Sequence, residues 1–234
     1  MTLEAVVFDF DGVLADSEPL HFRVYQQLLA EHGLALTREE YYDAYLGYDD
    51  VAAFRAMAEA KGLPIDGERL ERLVERKTAV FQRLAASTPV LFPGAAACLR
   101  AMAAACPIAI ASGALRHEIE LVLGAAGLLD VVPVIVAAGE TPRGKPAPDP
   151  FARAVERLAE RTGRPLRAAR SVGIEDSRWG LESARAAGLV TVALTTSYPA
   201  SELGEADLVL PGIGHVTPDA LDALVSRGRI GAEA

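Results

Sequence analysis

The sequence has no asparagine and only three lysines, Lys61, Lys77 and Lys145, among 23 basic residues. Basic positions therefore default to arginine, and a lysine inside a motif is more informative than usual. Cysteine is almost missing. Cys98 and Cys106 give neither a disulfide framework nor metal-ligand spacing, and both fall in or beside an apolar helical pattern, so they read as core thiols. No apolar run reaches membrane-spanning length. No basic cluster is present and the net charge is −9, which argues against a nucleic-acid partner. A small anionic substrate stays compatible, because a local site can be positive on an acidic chain. A strand with acidic residues starts at once, where a signal peptide would need an apolar stretch. These absences predict a cytoplasmic protein with no nucleic-acid or membrane partner. No exposed apolar helix stripe asks for a second chain, so a monomer is expected.

What is present is ordinary globular material: 234 residues, 51% hydrophobic and 24% charged, enough for one large domain or a domain with an insertion. The stretch that organises the chain is Val6-Val7-Phe8-Asp9-Phe10-Asp11-Gly12. Val6, Val7 and Phe8 form a short apolar run of strand formers. Asp9 and Asp11 are two apart, so on an extended chain they leave on the same side. Gly12 then permits a sharp turn. Two carboxylates at the end of a buried strand repel, and a divalent metal is the usual compensation. The plainer alternative is a strand end with solvated aspartates and an Asx-type turn.

From Asp16 the pattern is helical. Asp16 or Ser17 can cap a helix with Pro19 in its first turn, and Gly33 ends it. Thr37-Arg38-Glu39-Glu40 is a capping box. Helical pattern follows through 51–61 and from 67 to 86, with no strand pattern between Gly12 and Pro89. From Pro93 helices and strands alternate. Helices are predicted at 95–105, 115–126, 149–162, 178–187 and 218–225. Strands are predicted at 107–111, 131–136, 171–174, 190–194 and 208–210, and 226–234 reads as a frayed tail. Alternation means an α/β fold, a Rossmann-like parallel sheet with the first strand in its middle. The core is expected over 1–15 and 88–234, with an inserted α-helical domain over 16–87.

Three more stretches end predicted strands or the loops after them. Ser112-Gly113 can hold a phosphoryl oxygen with a hydroxyl and helix-start amides, or Ser112 can be a plain N-cap. Gly144-Lys145-Pro146-Ala147-Pro148-Asp149-Pro150 is a rigid segment that fixes one ammonium, suited to a phosphate beside carboxylates. Glu175-Asp176-Ser177 can hold magnesium, cap a helix, or do both.

The run Asp9-Phe10-Asp11-Gly12-Val13-Leu14-Ala15-Asp16-Ser17 resembles the nucleophile motif of the haloacid dehalogenase superfamily of phosphohydrolases. Ser112, Lys145 and Glu175-Asp176 resemble its second, third and fourth motifs, in order. The helical block placed after Asp11 is similar to the subgroup that holds β-phosphoglucomutase and phosphoglycolate phosphatase. The resemblance implies an HAD-like core with a helical cap that closes over the site and sets specificity. It also implies a phosphatase dependent on Mg2+ and acting on a small phosphorylated metabolite, a sugar or polyol phosphate. Asp9 would be the nucleophile that forms an aspartyl phosphate, and Asp11 the general acid and base. Ser112 and Lys145 would neutralise the phosphoryl group. The metal ligands implied are Asp9, the Asp11 backbone carbonyl and Asp176, with Glu175 ligating the metal or holding its waters. Asp11 also separates the chain from family dehalogenases, which lack that acid.

For the substrate the resemblance points to Gly113, to Gly47 in the cap loop with Tyr48-Asp49-Asp50, to Lys77 and to His21. Lys77 can equally be a solvated helix charge and His21 an ordinary helix residue. Two departures count against a mutase. Asp50 stands where β-phosphoglucomutases carry a phosphate-gripping arginine, and Gly113-Ala114-Leu115-Arg116 replaces their Ser-Lys-Asn run, with Arg116 as a substitute phosphate ligand. An acidic cap loop should favour hydroxyl-rich or cationic leaving groups. A phosphatase is therefore expected, with a phosphosugar mutase as the alternative. A non-enzymatic phosphoacceptor module is more remote, since it would be about half as long and leave Asp11 without a role.

Overall fold

A computed structural model describes residues 2–45, 48, 50–85 and 90–228. The chain divides into two compact units, Ser17–Val90 and Met1–Asp16 with Leu91–Ala234.

The first unit is helical, with α1 (Glu18–Ala30), α2 (Arg38–Ala44), α3 (Asp50–Lys61) and α4 (Gly67–Ala85). Pro19 sits in the first turn of α1, but the Ser17 side chain does not cap it. Gly33, at φ 73°, turns the chain away after α1. The Thr37 capping box forms: its hydroxyl accepts from Glu40 N at 3.1 Å and the Glu40 carboxylate accepts from Thr37 N at 3.5 Å. α4 buries Leu70, Leu73, Lys77, Val80 and Phe81, three or four positions apart, as one helix stripe requires. Tyr25, Tyr41 and Phe54 stack within the same unit, with Tyr25 edge-on to Phe54 at 5.1 Å.

The second unit is α/β. Its strands are β1 (Ala5–Phe8), β2 (Ile108–Ala111), β3 (Val134–Val136), β4 (Ser171–Glu175), β5 (Val190–Leu194) and β6 (Leu208–Leu210). Among the described residues they make one six-stranded sheet in the order β3-β2-β1-β4-β5-β6, every neighbour pair parallel. The split first strand does lie in the middle. β1, β2 and β4 are buried along their whole length, because the crossover helices of a parallel sheet cover both faces. The helices are α5 (Ala95–Ala105), α6 (Arg116–Ala125), α7 (Asp149–Thr162), α8 (Arg178–Ala186) and α9 (Pro218–Gly228). Val7, Ala109, Val136, Phe151, Leu158 and Ala184 share one core cluster. A Cβ at Gly173 in β4 would lie 2.8 Å from Ala184 Cβ and 3.3 Å from the Phe151 ring, so the missing side chain lets α7 and α8 approach the sheet.

Two element boundaries differ from the sequence expectation by more than one residue. β3 begins at Val134, not at Val131, because Pro133 has no N–H for the ladder and the Val131 and Val132 amides turn back to the Leu128 carbonyl. α9 runs on through Gly228, past the point where a frayed tail was expected. The Ser226 hydroxyl donates to Thr2 Oγ1 at 3.0 Å, and Asp222 accepts from Leu3 N at 2.8 Å, so this helix end is tied to the start of the chain. Cys98 and Cys106 are buried free thiols, and burial pushes both up to about 11. Among the described residues no helix is long and apolar enough to cross a membrane.

Phe151 is fully buried between α7 and the sheet. Phe151→Ala should lower unfolding free energy by about 3–5 kcal/mol, the usual cost of truncating a core phenylalanine. Urea unfolding followed by circular dichroism measures it.

Candidate active site

In an open parallel sheet, ligands bind beyond the carboxyl ends of the strands. Asp9 continues β1, its N–H donating to the Ile174 carbonyl at 2.9 Å. The chain then bends at Phe10, so the extended-chain argument that put Asp9 and Asp11 on one side holds only up to that bend. Gly12, at φ 76°, completes the turn, with its N–H on the Ala15 carbonyl at 2.8 Å. A side chain is excluded there twice over: by the positive φ, and because a Cβ would fall 1.8 Å from Asp176 Oδ2.

β4 delivers the other two carboxylates. Glu175 is fully buried, and its Oε2 accepts from Asp176 N at 3.1 Å, Ser177 N at 3.2 Å and Ser177 Oγ at 2.9 Å. Ser177 caps α8 as well, its Oγ accepting from Gly180 N at 3.1 Å. Capping and acid binding thus share one hydroxyl. A Cβ on Gly180 would sit 1.8 Å from the Glu175 carboxyl carbon, so the carboxylate occupies the space a side chain would need. The Ser197 hydroxyl donates to Asp176 Oδ2.

Lys145 joins the two strands. Its ammonium lies 2.6 Å from Asp9 Oδ1 and 2.5 Å from Glu175 Oε1. Burial pulls its pKa down, but Asp9 and Glu175 outweigh that and the net shift is upward, so it remains an ammonium. Burial, then Asp9 and Glu175, pushes Asp176 up to about 8. Glu175 is also raised, by burial first and then Asp9, with Lys145 opposing. Ligand oxygens of Asp9, Glu175 and Asp176 all lie within 4.8 Å of one another, while Asp11, half-buried, is not in that cluster. Three carboxylates against one ammonium leave two negative charges uncompensated when all are ionised. An all-oxygen donor set with that deficit fits a hard divalent cation such as magnesium and offers no sulfur or imidazole for zinc.

The other expected residues divide. Ser112 directly follows β2, which lies beside β1, with its N–H on the Val136 carbonyl at 2.9 Å. It is not a helix cap: its Oγ accepts from Ala114 N at 3.1 Å, and α6 starts later, with Leu115 at the N-cap position. Gly113 follows it, exposed. Arg116, expected as a phosphate ligand, is committed elsewhere. It binds Glu140 at 2.6 and 3.0 Å, Glu120 at 3.1 Å and the Ile135 carbonyl at 2.8 Å. With Arg157 it anchors the loop that leads to Lys145. Within the helical unit, Lys77 is buried, 3.0 Å from Asp50 and 4.9 Å from the Phe81 ring centre. Asp50 also accepts from the Tyr25 hydroxyl at 2.7 Å. Lys77 is therefore not a solvated helix charge, and Asp50 is matched by a cation, which corrects the reading of a simply acidic cap loop. His21 stacks on Phe81 at 4.6 Å. Gly47 and Asp49 lie outside the described residues.

Sequence reasoning missed Thr196 and Ser197, on the loop after β5, and the dual part of Ser177. The available signal was position alone: Thr195-Thr196-Ser197 directly follows a strand at the same sheet edge.

The family model described as haloacid dehalogenase-like hydrolase matches residues 3–188. Protein CbbY of Rhodobacter capsulatus is 31% identical over 96% of this chain and 100% of its own length. The phosphorylated carbohydrates phosphatase of Thermotoga maritima is 29% identical over 89% of this chain and 95% of its own. The solved structure of a variant of CbbY from Rhodobacter sphaeroides, in complex with xylulose-(1,5)bisphosphate, is similar with a TM-score of 0.79 at 26% identity, covering 94% of this chain and 99% of that one.

Two outcomes are expected of this geometry. Gly180→Ala should destabilise the protein by about 1–3 kcal/mol through overpacking against Glu175 and lower turnover at least about tenfold, by thermal unfolding and steady-state rates. The Arg116 guanidinium, then Arg157, holds Glu140 down to about 2 from 4.5. Its folded value lies below the unfolded one, so its contribution is full above about 4.5 and lost as pH falls towards about 2. The urea midpoint of Glu140→Gln should be below wild type at pH 7 and converge with it on acidification through that window.

Proposed function

Because this chain belongs to the haloacid dehalogenase-like hydrolase family, we propose that it is a magnesium-dependent phosphatase acting on a small phosphomonoester, a sugar or polyol phosphate. The observation that carries this is the Lys145 ammonium held between Asp9 and Glu175, beside Asp176. It gives a carboxylate nucleophile and a fixed positive charge at one point. The Asp9 carboxylate attacks phosphorus and the bond to the leaving oxygen breaks, leaving an aspartyl phosphate. Asp11 gives its proton to that oxygen. Asp11 then takes a proton from water as the water attacks phosphorus, and the bond to Asp9 breaks to release inorganic phosphate. Lys145, the Ser112 hydroxyl and the Gly113 amide hold the phosphoryl oxygens throughout. Asp9, Asp176 and the Asp11 carbonyl would hold magnesium, with Glu175 ligating it or holding its waters, and the ion would supply further neutralisation of phosphoryl charge.

The leaving-group class draws on the relatives: one is named for phosphorylated carbohydrates and another was solved with a sugar bisphosphate. The helical unit is assigned the part of cap, with Lys77, His21 and Gly47 assigned to substrate recognition. A phosphosugar mutase is the second reading. It gains from the Lys77–Asp50 pair, since the loop that was to repel a second phosphate is partly neutralised.

Phosphate release from sugar, polyol, nucleotide and glycolate phosphates should depend on magnesium and cease with EDTA. Asp9→Asn should lower it by about a thousandfold or more, the scale on which loss of a nucleophile acts. No release from any of these, with hexose 1-phosphate conversion under a bisphosphate activator, would replace the phosphatase with the mutase.

A further inference from the structure

The loop after β5 touches the turn after β1 and the acidic cluster. The Thr196 hydroxyl donates to the Gly12 carbonyl at 2.5 Å, and the Ser197 hydroxyl donates to Asp176 Oδ2. The sheet order explains how. β5 flanks β4, and β4 flanks β1, so the loop starts one strand outside Glu175 and two outside Asp9. Glu175 pairs with Ala193, which places Thr196 and Ser197 just beyond the same edge. Thr195 N–H holds the Leu210 carbonyl at 3.0 Å, so the loop is fixed on its outer side too. Both residues are exposed overall, while Asp176 is buried. Their side chains contribute little to the core, and each spends its hydroxyl on the site.

Asp176 Oδ2 lies where a Gly12 Cβ would be, so the carboxylate fills the room that the glycine leaves. The Ser197 hydroxyl holds that same oxygen. Thr196 fixes the Gly12 turn that forms the other wall.

We infer that Thr196 and Ser197 are positioning residues that strap the β1 and β4 loops together and set the affinity of the carboxylate cluster for magnesium. The inference rests on the magnesium reading above. Partners that orient a metal ligand typically change affinity about 10–100-fold when removed. A strap of this kind acts on metal uptake rather than on the phosphoryl grip of Ser112 and Lys145.

Calorimetric titration of metal-free protein with magnesium tests it on wild type, Ser197→Ala, Ser197→Thr, Thr196→Val and Asp176→Asn. Ser197→Ala should bind about tenfold more weakly and Ser197→Thr should restore binding. Thr196→Val should weaken it as well. Under turnover the half-saturating magnesium concentration of Ser197→Ala should rise alike, with KM for the phosphomonoester at saturating magnesium and the metal-free Tm unchanged. Wild-type affinity in both Ser197→Ala and Thr196→Val, with Asp176→Asn impaired, would overturn the strap and leave the metal site standing. A wild type that takes up no magnesium would overturn the metal site itself, and the strap with it.

Discussion

One ammonium shared between two strands is the constraint on which the site depends. β1 and β4 are adjacent and parallel, with Phe8 opposite Ile174, so the residues that follow them, Asp9 and Glu175, are neighbours by register. Two buried carboxylates at that spacing repel. Lys145 opposes the repulsion by standing 2.6 Å from one and 2.5 Å from the other. Removing one partner of such an arrangement leaves an uncompensated buried charge, which costs about 3–5 kcal/mol. The lysine must therefore be delivered with little play. Pro146, Pro148 and Pro150 stiffen the chain after it, and Arg116 and Arg157 clamp Glu140 before it.

The carboxylates also depend on two absent side chains. Asp176 fills the volume above Gly12, and Glu175 fills the volume above Gly180. Neither glycine is there for flexibility alone. Each is a space shaped for an acid, and each belongs to the element that opposes the acid: the turn after β1 and the first turn of α8. The N–H groups of Asp176 and Ser177, just before α8, point at Glu175 and add their hydrogen bonds to the charge of Lys145. Sheet register, helix start and loop lysine converge on one point.

What could be read from the sequence follows from how local each signal is. Strands buried on both faces are nearly continuous apolar runs, so β1, β2, β4 and β5 are visible without tertiary knowledge. The carboxylates are visible because charged residues at the ends of such runs have few structural reasons to be there, and the lysine because it is one of three in the chain and is followed by prolines. β3 reads too long from the sequence because Val131 and Val132 look like strand until Pro133 is weighed. Hydroxyls are harder. Serine and threonine after a strand most often begin a turn or cap a helix, so Thr196 and Ser197 carry no mark of their partners. Arg116 has the same difficulty in another form: a guanidinium near a motif fits phosphate, and only the fold reveals that Glu140 holds it first.

Asp50 shows why charge counted along a chain misleads about charge in space. Asp49-Asp50 reads as an acidic loop, yet Asp50 receives the Lys77 ammonium and the Tyr25 hydroxyl from α4 and α1. The Phe81 ring lies under that ammonium, with His21 stacked on the same ring. A buried pair of this kind adds little net stability over apolar packing of the same volume. What it fixes is arrangement, since breaking it strands a charge in the interior. The residues that most resemble substrate contacts in the helical unit are thus already bound to one another. Lys77 and Asp50 therefore act as one pair, not as a free lysine and a free aspartate.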